Sequence, residues 1–171
     1  MVAESTMSPT EQQLVYRQAT ASDIAGMAGV RACDWGTKAY WRERIREYLA
    51  GKLQPRDALP TRVAFVCADQ DRVLGLIAGH LTRRFECTGE LEWISVRPEY
   101  RTQGIASELL RRLAGWFVTH NAHRICVDVE PSNHPARRFY TRHGATYLTP
   151  HWMVWEDISQ VCEPAPDTTA K

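Results

Sequence analysis

The segment RTQGIAS, residues 101–107, contains the residue types of an anion-binding site. It follows a predicted strand and begins an apolar-striped helix, so the N–H groups of its first turn have no partner inside that helix. Those groups and the positive end of the helix dipole favour an anion such as a pyrophosphate. Gly104 and Ala106 leave room for the approach, while Ser107 offers a hydroxyl and Arg101 a charge. The small residues could equally serve only to pack the helix on a sheet.

The elements around this motif predict a mixed α/β sheet with helices on its faces. The order is strand, two helices, three strands, helix, strand, helix and two strands, which is neither regular β/α alternation nor all-β. Pro55 and Pro60 are expected to bound a loop before the second strand. The predicted strands are 14–20, 62–69, 72–84, 89–98, 123–130, 145–148 and 151–158, and the predicted helices are 24–33, 37–51, 103–120 and 133–143.

Composition narrows the class of protein. The 171 residues fit one domain, with 44% apolar and 24% charged residues and a net charge of +1. This balance gives no reason to expect bulk binding to nucleic acid or to an anionic membrane. No apolar run approaches the roughly 18 to 20 residues of a membrane helix, and the N-terminus lacks the core of a signal peptide, so a cytoplasmic protein is expected.

The ends, the cysteines and two histidines add three further expectations. Residues 1–12 are predicted to be disordered, 13–158 to form the domain, and 159–171 to be a flexible tail, because both ends are polar or proline-bearing without periodicity. Five cysteines without a C-x-x-C pair argue against a disulfide framework and a zinc ribbon. His120 and His123 lack a suitably spaced third ligand, so no metal is expected.

Two motifs resemble those of the GNAT superfamily, the acyl-CoA-dependent N-acetyltransferases. Residues 101–106 match its R/Q-x-x-G-x-G/A signature, after a VRPEY segment that resembles the end of its fourth strand. PSNHPARRFYTRHGATYL resembles its late N-x-x-A-x-x-x-Y-x-x-x-G segment through Asn133, Ala136, Tyr140 and Gly144. The resemblance covers residues 13–157 and implies a mixed, mostly antiparallel twisted sheet flanked by helices.

The resemblance also implies where acetyl-CoA binds. Backbone amides of residues 103–107 would cradle its pyrophosphate, and Val96 would meet the pantetheine arm where the family splays its fourth and fifth strands apart. Asn133 would contact the cofactor, and Tyr140 would lie near its sulfur. The complete predicted cofactor-binding set is Val96, Arg101, Thr102, Gln103, Gly104, Ile105, Ala106, Ser107, Asn133 and Tyr140.

Acetyl transfer to an amine needs a base and gains from an acid. A tyrosine, with a pKa of about 10, stays protonated and can donate to a thiolate, so Tyr140 is the predicted general acid. Glu90 and Glu92 lie two apart on one strand and should face the same way, and the family has a carboxylate at each position in different branches. Asp128 is a third candidate base, and water could mediate. The alternatives are a core aromatic for Tyr140 and a solvated acidic strand face for the pair.

The acceptor remains open at this level. The resemblance places its cleft near the first two helices and later strand loops, at Trp35, Tyr40, Trp41, Arg83, Arg84 and His151. A small-molecule amine is the first expectation, with a peptide N-terminus or a lysine side chain as alternatives. A non-catalytic acetyl-CoA-binding sensor is the rival class, and nucleic-acid recognition is the weakest. The apolar strand 151–158 makes a homodimer one option.

Overall fold

The computed structural model describes residues 13–162, which form one seven-stranded sheet with helices on both faces. The strands are β1 (Leu14–Gln18), β2 (Ala58–Asp69), β3 (Arg72–Thr82), β4 (Gly89–Val96), β5 (Ile125–Asp128), β6 (Thr146–Thr149) and β7 (Trp152–Trp155). The helices are α1 (Ile24–Ala32), α2 (Lys38–Leu49), α3 (Ile105–Thr119), α4 (His134–Arg142) and α5 (Ser159–Cys162). Short 3-10 turns occupy Ala21–Asp23, Arg84–Glu86 and Pro98–Tyr100.

The strand order is β1-β2-β3-β4-β5-β7-β6, and every neighbouring pair is antiparallel except β4 with β5. The predicted fold class, a mixed and mostly antiparallel sheet flanked by helices, is therefore confirmed. By length and apolar character, no helix within residues 13–162 could cross a membrane.

Apolar stripes place the helices on opposite faces of the sheet. On α3 the predicted stripe is buried and packs with α5 against one face; its members are Ile105, Leu109, Leu110, Leu113 and Phe117. On α2, Trp41, Ile45 and Tyr48 are buried against the other face together with α1. The 3.6-residue period thus decides which side of each helix meets the sheet.

The two central strands separate part-way along their length. β4 pairs with β5 only from Gly89 to Leu91, opposite Ile125 to Val127, although β4 continues to Val96. On its other edge β4 has a bulge, because Leu91 pairs with Gly79 and Trp93 with Ala78, which leaves Glu92 as the extra residue. We call the opening beyond Leu91 the β4–β5 fork.

Three details differ from the sequence-based predictions. Pro60 lies inside β2 rather than in a loop. It stands at a register irregularity between β2 and β3 and outside the part of β2 that pairs with β1, so the sheet does not need the N–H that proline lacks. Residues 159–162, assigned to the tail, form α5 and bury Val161. In the segment 151–158, predicted as an exposed strand, only Trp152–Trp155 form a strand, β7, which lies inside the sheet between β5 and β6.

The remaining predictions about the termini fall on residues 1–12 and 163–171, which lie outside the described residues.

Candidate active site

The start of α3 presents unpaired backbone amides. Gly104 has φ +84° and ends the loop, and no side chain caps the helix. The first helical bond joins the Glu108 N–H to the Gly104 carbonyl at 3.1 Å, so the amides of residues 105–107 precede the helical ladder. A Cβ on Gly104 would meet no atom within 4 Å. The positive φ, rather than crowding, therefore favours glycine, and the space beside the amides is open.

The polar side chains of the loop are mostly engaged. Arg101 donates from Nε to the Val96 carbonyl at 3.1 Å and from Nη2 to Asp34 at 2.8 Å. The Ser107 hydroxyl lies 3.0 Å from Nε2 of His143. Thr102 bonds to the carbonyl of Arg101, its neighbour, at 2.6 Å. The structure therefore gives Arg101 a loop-holding contact in addition to the charge that the sequence suggested.

Asp34 ties this loop to the sheet and was not singled out from the sequence. Its second oxygen accepts from the Ser95 hydroxyl at 2.7 Å, and that hydroxyl accepts from Arg31 at 2.8 Å. The Arg31 guanidinium also lies 4.2 Å from the ring centre of Trp41. Helix α1, strand β4 and the loop at residues 101–104, called the anion loop below, are thereby connected by one chain of hydrogen bonds.

A buried hydrogen-bond chain lies beside the β4–β5 fork. Nε2 of His80 donates to the Glu90 carboxylate at 3.2 Å, and the Tyr48 hydroxyl donates to Nδ1 of His80 at 2.8 Å. These directions follow because an ionised carboxylate can only accept, which assigns the imidazole tautomer. Glu92 reaches the same imidazole, with Oε2 3.9 Å from Nδ1. The two glutamates thus converge, as their spacing predicted.

Burial and neighbouring charges change the pKa values of two carboxyl groups at the fork. Burial, followed by the neighbouring charge of Glu90, raises the pKa of Glu92 above its usual range. Burial likewise raises the pKa of Asp128, against the opposing effect of His151. Glu92 and Asp128 are the first residues past the paired part of β4 and β5. A carboxylate at this position can accept a proton from an ammonium, and a raised pKa makes it a stronger base.

His80, Glu90 and Glu92 are also close enough to share a metal, since their ligand atoms lie within 4.8 Å of one another. Both imidazole nitrogens are already hydrogen-bonded, however, to Tyr48 and Glu90. Hydrogen bonds thus account for the contacts of His80 with Tyr48 and Glu90, while Glu92 lies 3.9 Å from the imidazole. Sequence reasoning missed His80 and Tyr48; a histidine in the middle of the apolar strand sequence LIAGHL was the available signal.

Tyr140 lies on α4 and is buried against Trp155, with ring centres 5.6 Å apart. Burial raises its pKa, Arg31 lowers it, and Asp128 raises it further, so both charged groups lie within electrostatic reach. Its hydroxyl makes no hydrogen bond to any residue from 13 to 162. The phenol is thus buried and within electrostatic reach of Asp128.

Other predicted residues have structural contacts. Asn133 caps α4, since its side chain accepts from the Ala136 N–H at 3.2 Å. Val96 buries its side chain in the core, and Gln103 is exposed on the loop. His120 and His123 do not converge: Nδ1 of His120 lies 2.8 Å from the Trp116 carbonyl, and His123 lies beside Asp157.

A cleft of about 360 Å³ opens at the fork. Its wall is strongly polar and brings carboxylates, arginines and aromatic rings together. The lining residues are Arg44, Leu53, Gln54, Pro55, Arg56, Arg84, Glu90, Leu91, Glu92, Trp93, Asp128 and Trp152. Of the residues predicted around an acceptor, Arg84 lies in this cleft, while Trp41 is core.

The sequence model of the acetyltransferase (GNAT) family matches residues 30–145, which include the fork, the anion loop and α4. The chain belongs to the GNAT acetyltransferase family. It is accordingly an enzyme that depends on acetyl-CoA as acetyl donor. Among curated proteins, none matches the sequence of this GNAT protein.

Solved structures share the GNAT fold at low identity. A GNAT-family protein from Desulfovibrio desulfuricans superposes with a TM-score of 0.70 at 16% identity, over 85% of this chain and 99% of that one. The PaiA N-acetyltransferase from Thermoplasma acidophilum in complex with coenzyme A gives 0.62 at 14% identity, over 85% and 99%. The NatC complex bound to Gag peptide and CoA gives 0.60 at 16% identity, over 83% and 95%.

The residues of this GNAT protein fit the donor. Open amides at the start of α3 suit a pyrophosphate, and Gly104 leaves the space beside them empty. The unpaired edge of β4 beyond Leu91 offers backbone groups to an extended arm. Both features follow the paired part of β4 along the chain, at Glu92–Val96 and at Gly104.

Proposed function

We propose that this protein transfers the acetyl group of acetyl-CoA directly to a primary amine of a small molecule. The observation that supports it most is the position of Glu92 and Asp128 at the fork, with Asp128 acting electrostatically on the buried Tyr140 hydroxyl. A base and an acid beside the opening for the donor are what amine acetylation needs. A sensor that only bound the donor would need neither group.

Binding of the donor is assigned to the loop and the fork. The amides of residues 103–107 would hold the pyrophosphate, Val96 would meet the pantetheine arm through backbone hydrogen bonds, and Asn133 would contact the cofactor. When bound, acetyl-CoA supplies an activated acetyl thioester. Arg101 would keep the loop in place through Asp34 while adding a positive charge near the phosphates.

Removal of the ammonium proton is assigned to Glu92, directly or through water. The His80 N–H donates to Glu90, and burial, followed by the charge of Glu90, raises the pKa of Glu92 and makes it a stronger base. Glu90 is thereby a positioning and tuning residue as well as the second candidate base. Asp128, whose pKa is also raised, stays the third candidate.

Protonation of the departing sulfur is assigned to Tyr140. Burial keeps its phenol protonated across the working pH range, because the pKa is raised above the ordinary 10.0. Its hydroxyl makes no hydrogen bond within residues 13–162, so no donor or acceptor there competes for it. The residue therefore can donate without first breaking a contact.

Coenzyme A release from acetyl-CoA with a panel of amines, with products identified by mass, tests the proposal. Tyr140→Phe is expected to lower kcat strongly while acetyl-CoA still binds, and Glu92→Gln to lower it with loss of the acid limb of the pH profile. Tyr147→Phe is the matched control, since that tyrosine is 56% exposed and lies outside the cleft. Full activity of Tyr140→Phe at every pH would remove it from the mechanism.

A peptide N-terminus is the second candidate acceptor. The observation that favours it is the similarity in fold to the NatC complex, which was crystallised with a Gag peptide and CoA. Short peptides with free N-termini therefore belong in the panel. Acetylation of peptides in preference to small amines would replace the first proposal by the second.

A further inference from the structure

We infer that the acceptor amine carries a negatively charged group, a carboxylate or a phosphate, a few bonds from its nitrogen. This inference rests on the proposed function and names the substrate class of the same cleft. The evidence is a cleft lined by three arginines that make no hydrogen bond to a carboxylate of residues 13–162 and by two carboxylates that accept none there. A ligand with one positive and one negative group could bind the carboxylates and the arginines together.

Arg84 is held rigidly with its terminal nitrogens unused. Its guanidinium lies 4.6 Å from the ring centre of Trp152, and Nε donates to the Arg56 carbonyl at 3.3 Å. The side chain is only 18% exposed, and Nε stands 4.0 Å from the Glu90 carboxylate. Among residues 13–162, no acceptor bonds to Nη1 or Nη2. Such a pre-positioned fork of donors suits two oxygens of a carboxylate or phosphate.

Two further arginines line the cleft without a close acidic partner. Arg44, on α2, is half-buried and makes no hydrogen bond or ion pair with residues 13–162; its guanidinium lies 5.9 Å from the Tyr40 ring centre. Arg56 approaches a carboxylate only at 3.9 Å, in an exposed pair with its neighbour Asp57. Arg44 and Arg84 both act electrostatically on Glu92, so they face the same space.

Two carboxylates in the same cleft supply the negative charge that would bind the ammonium of an acceptor. Neither Glu92 nor Asp128 accepts a hydrogen bond from residues 13–162, although Glu92 lies 3.9 Å from His80. They can therefore receive an ammonium. An acceptor with only positive charge would be drawn to them but would face the three arginines, and like charges in a half-buried cleft disfavour binding. An acceptor with an added anionic group can bind the carboxylates through its ammonium and the arginines through its anion.

Matched pairs of acceptors test this inference. An amino acid is compared with its carboxamide, and O-phosphoethanolamine with ethanolamine, by initial rates of coenzyme A release with saturating acetyl-CoA. In the wild type, kcat/KM should be at least about tenfold higher for the anionic member of one pair. The pair that shows this preference identifies the anion as carboxylate or phosphate.

Arginine variants connect the preference to the cleft. Arg44→Gln and Arg84→Gln should each bring the ratio of anionic to neutral kcat/KM towards one. Arg42→Gln, at an exposed position of the same helix that does not line the cleft, should keep the wild-type ratio. Acetyl-CoA affinity, measured by calorimetry, verifies that each variant is folded. If Arg84→Gln does not fold, Arg44→Gln alone is sufficient to test the inference.

Two results would overturn the inference. The first is a kcat/KM for neutral or polycationic amines that equals or exceeds that of the anionic acceptors in the wild type. The second is an unchanged ratio of anionic to neutral kcat/KM in Arg44→Gln. Either result would leave the proposed function intact. Binding of acetyl-CoA without transfer to any amine would instead refute the proposed function, and this inference with it.

Discussion

Removing one oxygen atom from Tyr48 tests the buried hydrogen-bond chain beside the cleft. The hydroxyl lies 2.8 Å from Nδ1 of His80, whose Nε2 lies 3.2 Å from Glu90. Tyr48 and His80 are both fully buried, so bulk water cannot replace the lost donor. In Tyr48→Phe the aromatic ring keeps its place beside Trp93, at 4.8 Å between ring centres, and only the hydrogen bond is lost.

The size of the effect follows from the unpaired nitrogen. A buried acceptor that loses its only close donor costs about 1–3 kcal/mol. For a domain of this size, 1 kcal/mol corresponds to roughly 2–4 °C in Tm, so Tyr48→Phe should lower Tm by about 2–12 °C. A less constrained imidazole should also hold Glu90 less firmly. The acid limb of the kcat/KM profile should move, while the KM for acetyl-CoA should not.

Thermal unfolding and a pH–rate profile measure both effects. Tyr40→Phe is the matched control, because Tyr40 lies on the same helix, is 42% exposed and has no hydrogen bond from its hydroxyl within residues 13–162. A Tm for Tyr48→Phe equal to that of Tyr40→Phe, with an unchanged profile, would refute the assignment of the buried chain. A lower Tm with an unchanged profile would limit its role to stability.

Three further outcomes follow from the same structure. Gly104→Ala should lower the free energy of unfolding by about 1–2 kcal/mol, because φ is +84°, and should raise the KM for acetyl-CoA. Gly115→Ala, in open space inside α3, should instead raise the free energy of unfolding by about 0.5–1 kcal/mol, as measured by denaturant unfolding. In the wild type the rate should rise with pH as Glu92 ionises, above its ordinary pKa of 4.5, and Glu92→Gln should lose that limb in a pH–rate assay. The bidentate bond from Arg17, at 2.7 and 2.9 Å, lowers the pKa of Asp23, so its stabilisation is present above the unfolded pKa and is lost as the pH falls through the folded value. Asp23→Asn should therefore be about 1–3 kcal/mol less stable at neutral pH and approach the wild type in acid.

The order of elements and the anion loop could be predicted from local sequence. The period of apolar residues on α3 indicated which face meets the sheet, and Gly104 before a helix indicated exposed amides, because both depend on neighbours within a few positions. The two-residue spacing of Glu90 and Glu92 placed their carboxylates together, although the bulge at Glu92 was not foreseen. A bulge depends on which partner strand is present, and one strand alone does not encode its partner.

Contacts between distant segments were decided only by the tertiary structure. His80 on β3 meets Tyr48, 32 positions earlier, and Asp34 meets Arg101, 67 positions later. Arg84 faces Glu92 because a turn after β3 and the opening of β4 from β5 create a common cleft. The family motifs, the buried face of α3 and the glycine that ends the loop before it are readable from local sequence. Which charges line the cleft at the β4–β5 fork depends on long-range packing, since those side chains become neighbours only when the sheet is assembled.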